Sequence, residues 1–304
     1  MSASKLTSLG CELDLSDTCF GWCRSSIDLL DDSTALQSRL NEDGYLYLPE
    51  LLDANLINDA RSFLLKQLSE LGLLDRTHPV EAGVAAQPWI GKSCHHLVRE
   101  NRALLKALYS GRMIEFYEQI LESSVRHFDF TWLRVIGPGK GTAPHGDSVY
   151  MGRGTRQLYT SWTPLMEITP EIGGLLIMPG SHRIPAFETY RNGDVDIVCT
   201  NRLDREPQDV HGWVGPLGDG KLSSDPVQLQ AEHGLPWVTA ECYRPGDVVV
   251  FNIGTIHGSL DNQSDRVRLS TDSRYQRADE PVDERWIGDE PIGHGPGARR
   301  DLIC

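Results

Sequence analysis

The 304-residue sequence has no apolar run of bilayer length, no CxxC pair, no internal repeat and no low-complexity tract. The first absence excludes a transmembrane helix. No basic segment followed by an apolar one stands at the start, so no secretory signal is visible, and the expectation is a cytoplasmic protein with no membrane partner. The seven cysteines are odd in number and scattered. That excludes a disulfide framework and suits free thiols in a reducing compartment. Cys11, Cys19 and Cys23 lie close together, but their spacing fits no common zinc pattern and no fourth ligand is near. Positive charge is also scarce: 29 Lys and Arg face 43 Asp and Glu, a net charge of −14. Such a field repels phosphate backbones, which excludes nucleic acid as a partner and leaves a small-molecule substrate. Oligomeric state has no signature in the sequence.

What is present is an ordinary globular balance, 39% hydrophobic and 24% charged, with ample material for a core. Residues 1–32 are polar and weakly patterned, and read as an N-terminal extension wrapping the surface. Residues 33–304 read as one domain. Thr34–Asn41 is a short helix candidate and Tyr45–Leu48 a strand. Asp53 caps an amphipathic helix carrying Leu56, Ile57, Ala60, Phe63, Leu64 and Leu68, which ends near Gly72. A second helix is predicted from about Asn101 to Ser123.

Beyond Val125 the period changes to that of strands: Phe128–Ile136, Gln157–Thr163, Gly174–Met178, Trp237–Ala240, Val248–Asn252 and Val267–Gln276, with Gly, Pro and Asp between them. The fold class is therefore mainly β with flanking helices, a jelly roll buttressed on one sheet. Residues 184–236 are long and irregular, and read as a lid or substrate-binding insertion.

Three features carry chemistry. His145 and Asp147 are two apart on an extended segment, so both side chains share one face. His257 follows the apolar strand Val248–Phe251, far downstream but within reach of a neighbouring strand. Two imidazoles and one carboxylate leave positions open on an octahedral iron, whereas a structural zinc site needs a fourth protein ligand. Arg268 alternates with the apolar Val267 and Leu269, and a guanidinium at that place can grip a carboxylate with two parallel bonds.

In the order Asp43-Gly44-Tyr45, His145-Gly146-Asp147, Trp162, Gly173 to His182, Pro245-Gly246-Asp247, His257-Gly258-Ser259 and Arg268, the sequence resembles the phytanoyl-CoA dioxygenase family from about residue 40 to about 276. The resemblance implies a cupin-like double-stranded β-helix with Fe(II) on His145, Asp147 and His257. It also implies 2-oxoglutarate on Arg268, with Ser259 and Trp162 as further contacts, and His182 as a turn residue. The implied reaction consumes O2 and 2-oxoglutarate and releases succinate and CO2, with ascorbate as a stimulant. Related halogenases lack the carboxylate that Asp147 supplies, so hydroxylation, desaturation or ring closure is the expected outcome. The alternatives are a metal-binding cupin-like storage or sensing protein, and a metal-dependent hydrolase or isomerase that ignores 2-oxoglutarate.

For the substrate, Tyr150, Arg153, Arg202 and Trp213 are the candidates, with Arg156, Arg183, Arg191 and Arg205 nearby. Such arginines would suit an anionic substrate bearing a carboxylate, phosphate or CoA. The competing expectation is that they pair with local acids such as Asp194, Asp204 and Glu206.

Overall fold

The computed structural model describes residues 5–90, 93–199 and 219–302. Near the N-terminus, β1 (Thr7–Ser8) and β2 (Cys11–Glu12) form a small hairpin, followed by β3 (Phe20–Trp22). Helix α1 (Ser33–Asp43) leads through Gly44, at φ 78°, into β4 (Tyr45–Leu48). Next come α2 (Ala54–Glu70), α3 (His96–Glu100), α4 (Arg102–Tyr109) and α5 (Arg112–Leu121). Asp53 caps α2 as its sequence position implies, accepting from the Asn55 N–H at 2.9 Å. Ile57, Leu64 and Leu68 on that helix are fully buried, each contributing roughly 1.5–3 kcal/mol.

The single helix expected over 101–123 is two helices. Gly111, at φ 56°, turns the chain between α4 and α5. Both halves bury apolar stripes, so the periodicity runs through the break without showing it.

The remaining elements are β5 (Val125–His127), β6 (Trp132–Ile136), α6 (Ser148–Met151), β7 (Tyr159–Pro164), β8 (Leu175–Ile177), α7 (Glu188–Arg191), β9 (Ile197–Cys199), α8 (Pro226–His233), β10 (Trp237–Thr239), β11 (Val248–Asn252), β12 (His257–Ser259), β13 (Arg268–Arg277) and β14 (Arg300–Leu302). One sheet runs β4-β11-β7-β13-β5, with β6 also paired to β13; the other runs β12-β8-β10-β3. His145 joins the second sheet through an antiparallel bridge to His257, with both N–H···O bonds at 2.9 Å. Along the chain the strands therefore alternate between the sheets: β6, the His145 bridge, β7, β8 with β10, β11, β12, β13. That alternation is the jelly roll, and the expected fold class holds.

The helices cover the outer face of the larger sheet. Tyr117 of α5 stacks on Tyr275 of β13 at 4.2 Å between ring centres, and the Tyr275 hydroxyl donates to the Leu108 carbonyl at 2.6 Å. Tyr275 and Arg274 are adjacent, so alternation turns Arg274, and with it Arg268, Ser270 and Asp272, toward the opposite sheet.

The first 32 residues do more than wrap the surface. β3 lies parallel to β10 and extends the smaller sheet. Asp261 accepts from the Leu9, Gly10 and Gly141 N–H groups and from the Thr7 hydroxyl, tying the hairpin to the loop before His145. In the 184–236 stretch, α7, β9 and α8 are regular elements; residues 200–218 lie outside the described ones. Among the described residues no helix is long and apolar enough to cross a membrane.

Candidate active site

The turn from β11 to β12, which ends at His257, and the segment after Gly141 meet between the two sheets. Gly141 is required there, because a Cβ at that position would collide with the Ser259 carbonyl of β12. The approach brings His145 and Asp147 beside His257, and their ligand atoms all lie within 4.8 Å of one another. Each imidazole Nε2 is 3.8 Å from Asp147 Oδ1. Among the described residues this is the only such cluster of His, Cys, Asp or Glu, and no cysteine enters it.

The remaining polar atoms of the three side chains are already committed. The His145 Nδ1–H donates to the Ala143 carbonyl at 2.8 Å, and the His257 Nδ1–H to the Thr255 carbonyl at 3.1 Å. That tautomer leaves each Nε2 lone pair facing the centre. Asp147 Oδ2 accepts from the Thr160 hydroxyl at 2.6 Å and from Arg274 Nη2 at 2.9 Å, leaving Oδ1 for the cluster. Burial pushes His145 down to about 3, with His257 adding to the effect, and lowers His257 as well. Burial alone would raise Asp147, but Arg274 and the two imidazoles outweigh it and hold the carboxyl well below its ordinary range. Neutral imidazoles beside a carboxylate are the protonation states a divalent cation needs. Two nitrogens and one oxygen converging from one side are a donor set that suits iron(II).

Deeper between the sheets, Arg268 is buried and crosses from β13 to the smaller sheet, where its Nη1 donates to the Gly173 carbonyl at 2.6 Å. Gly173 lies two residues before β8, whose Leu175 pairs with Ser259. Burial, and then Arg134, push Arg268 down to about 10. Its Nε and the neighbouring Ser270 Oγ have no protein partner. Ser259 Oγ accepts from the Thr142 N–H at 2.8 Å, and buried Trp162 packs edge-on against Tyr243. Unpartnered buried donors beside a guanidinium fit a carboxylate-bearing co-substrate.

Outward from the cluster lies a cavity of about 330 Å³ lined by Trp132, Arg134, Tyr150, Lys221, Arg274 and His294 together with His145 and Asp147. Tyr150 is thus brought into the cavity lining. Arg153 does not line the cavity: Asp194 holds its guanidinium through Nε at 2.6 Å and Nη2 at 3.2 Å. Pairing with that acid was the competing expectation, and it accounts for Arg153. Arg156, Arg183 and Arg191 each donate to backbone carbonyls. Arg202 and Trp213 lie outside the described residues. His182 stands in a turn, its Nε2 at 3.1 Å from the Asn41 carbonyl. Arg274, Thr160 and Asp272 were missed in the sequence, although all three follow the period-two alternation of strands that were foreseen.

A match to the phytanoyl-CoA dioxygenase family covers residues 40–270. A 1-deoxypentalenic acid 11-beta-hydroxylase from Streptomyces exfoliatus is 26% identical over 263 residues, covering 82% of this chain and 83% of that protein. The fold is shared with the epimerase SnoN, solved with Fe3+, alpha-ketoglutarate and nogalamycin RO (TM-score 0.54, 20% identity, 87% of this chain and 94% of that one). It is shared also with EctD from S. alaskensis, solved with 2-oxoglutarate and 5-hydroxyectoine (TM-score 0.53, 17% identity, 100% and 96%). With most of its length matched and a His-Asp-His cluster at the centre of its jelly roll, the chain belongs to the phytanoyl-CoA dioxygenase family of iron(II)- and 2-oxoglutarate-dependent oxygenases.

Proposed function

We propose that His145, Asp147 and His257 hold the iron, that Arg268 and Ser259 hold the distal carboxylate of 2-oxoglutarate beside Trp162, and that the enzyme hydroxylates a small molecule carrying an anionic group. The observation that carries this reading is the commitment of every other polar atom of the three ligands, so that two Nε2 atoms and Asp147 Oδ1 alone face the centre. When bound, iron and 2-oxoglutarate would activate O2, the oxidant, for cleavage of a C–H bond, with 2-oxoglutarate itself oxidised to succinate and CO2. The chain supplies the rest. Arg274 and Thr160 fix the carboxylate rotamer, Ala143 and Thr255 fix the imidazole tautomers, and burial of the three ligands keeps bulk water from them.

Cavity size and charge support the substrate class. About 330 Å³ is near the lower end of the range for metabolite-sized ligands. Its lining carries Arg134, Lys221 and Arg274, paired with Asp272, Asp219 and Asp147; the Lys221–Asp219 pair is exposed and therefore weak, so an incoming anion can compete for that ammonium. The Streptomyces relative is named for an acid, which suits an anionic substrate.

The test is succinate formation with iron(II), 2-oxoglutarate, O2 and ascorbate, in wild type and His145→Ala, with small cyclic acids including 1-deoxypentalenic acid added as substrates. Iron-dependent turnover in the wild type, absent in the variant, is expected. Equal and iron-independent turnover in both would overturn the assignment.

A further inference from the structure

One wall of the cavity comes from a segment with almost no regular structure. His294, near the C-terminus, stands edge-on to Tyr150 at 5.7 Å between ring centres, and Tyr150 stands edge-on to His145 at 5.7 Å. Its ring is half-buried, packed also against Trp286 at 4.9 Å. The Nδ1–H donates to Asp196 Oδ2 at 2.8 Å, which turns Nε2 away from that carboxylate, and Nε2 has no protein partner among the described residues.

Beneath the ring lies a buried ionic cluster. Asp196 is fully buried and also accepts from Arg285 Nη1 at 2.6 Å. Arg285 holds Asp283 at 2.6 Å and lies 3.9 Å from Asp194, which in turn holds Arg153. Three carboxylates thus face two guanidiniums, and the imidazole N–H answers the surplus on Asp196. Arg285 Nη2 also donates to the Tyr150 carbonyl at 2.8 Å, so the cluster fixes His294 and Tyr150 together. In the same cavity lining, Lys221 pairs with Asp219 at 2.9 Å, and the Asp219 carbonyl accepts from the Tyr150 hydroxyl at 2.8 Å.

We propose that His294 is a substrate-positioning residue: its Nε2–H, with Lys221 of the same cavity lining, receives a carboxylate of the substrate and so sets which carbon faces the iron. A carboxylate above the ring puts the imidazole between two anions, the arrangement in which both ring nitrogens donate. The buried cluster fixes the ring in advance, so binding loses little side-chain entropy. This inference rests on the iron and 2-oxoglutarate assignment above.

The test compares wild type, His294→Ala and His294→Gln, each loaded with iron and 2-oxoglutarate, against cyclic monocarboxylic acids and their methyl esters. Acids are expected to stimulate succinate release and esters not. His294→Ala should raise KM for the best acid roughly ten- to hundredfold, with kcat and the KM for 2-oxoglutarate nearly unchanged, and His294→Gln should recover part of the loss. In ring-labelled protein the His294 resonances should shift on addition of acid. Equal stimulation by esters, an unaltered KM in His294→Ala, or no response to any acid would overturn the proposal. A visible iron–2-oxoglutarate charge-transfer band in wild type separates these outcomes from failure of the metal assignment, which would remove the band itself.

Discussion

Arg268 and Arg274 stand on one face of one strand, both buried, and they are provisioned in opposite ways. Arg274 has its anion within the protein: Asp147 at 2.9 Å, with the Trp132 ring 4.3 Å from the guanidinium carbon. Arg268 has a single backbone carbonyl, and its Nε has no partner. The nearby acid, Asp272, is taken by Arg134 at 2.6 Å. A buried guanidinium without a carboxylate is costly unless a ligand completes it. On the proposed assignment, one arginine serves the folded protein and the other the loaded enzyme.

The largest effect expected from that contrast is on stability. Arg274→Met leaves Asp147 buried without its main counter-charge and should lower the unfolding free energy of the metal-free protein by about 3–5 kcal/mol. Denaturant unfolding in a chelator measures it. Arg268→Met should behave differently. Its lost bond to Gly173 is offset by removal of a charge held out of water, so metal-free stability should stay within about 1 kcal/mol of wild type. Its KM for 2-oxoglutarate should instead rise on the order of a hundredfold, from the loss of about 2–4 kcal/mol. Equal destabilisation by the two substitutions would break the distinction.

How much of this was legible follows from what alternation can show. The Arg266–Ser270 pattern exposed one polar face of β13, and continuing it by the same period reaches Asp272 and Arg274, inside a strand already foreseen. Arg274 was readable but not read. The place of β3 was not, since Phe20-Gly21-Trp22 is too short for a period and its partner is Trp237–Thr239, more than two hundred residues away. His294 gave no local signal either. Its setting is made by Asp196 and Tyr150, from two other segments, and only the folded chain brings them together. His145 and Asp147 were readable from their spacing within the family's motif order, but Asp147 is not extended as expected. It has αR backbone (φ −64°, ψ −20°) at the N-cap of α6, and that turn, not strand alternation, carries its carboxylate to His145. Arg153 misled because a basic residue near a motif carries no information about the acid that will claim it.

Two smaller substitutions sharpen the same contrast. Arg268→Lys keeps the charge but replaces a planar fork with a point charge, so KM for 2-oxoglutarate should rise by only about tenfold. An effect as large as that of Arg268→Met would mean geometry dominates charge there. Thr160→Val tests the other end. Its hydroxyl is one of two donors on Asp147 Oδ2, at 2.6 Å, and Arg274 remains when it is gone. The carboxylate keeps its rotamer and its counter-charge, so the loss should be near 1 kcal/mol, a roughly fivefold weaker iron affinity. Competitive chelator titration measures it. A loss matching that of Arg274→Met in the same titration would show that the neutral donor, not the buried cation, sets the direction of Oδ1, and the division between the two arginines would then have to be redrawn around Thr160.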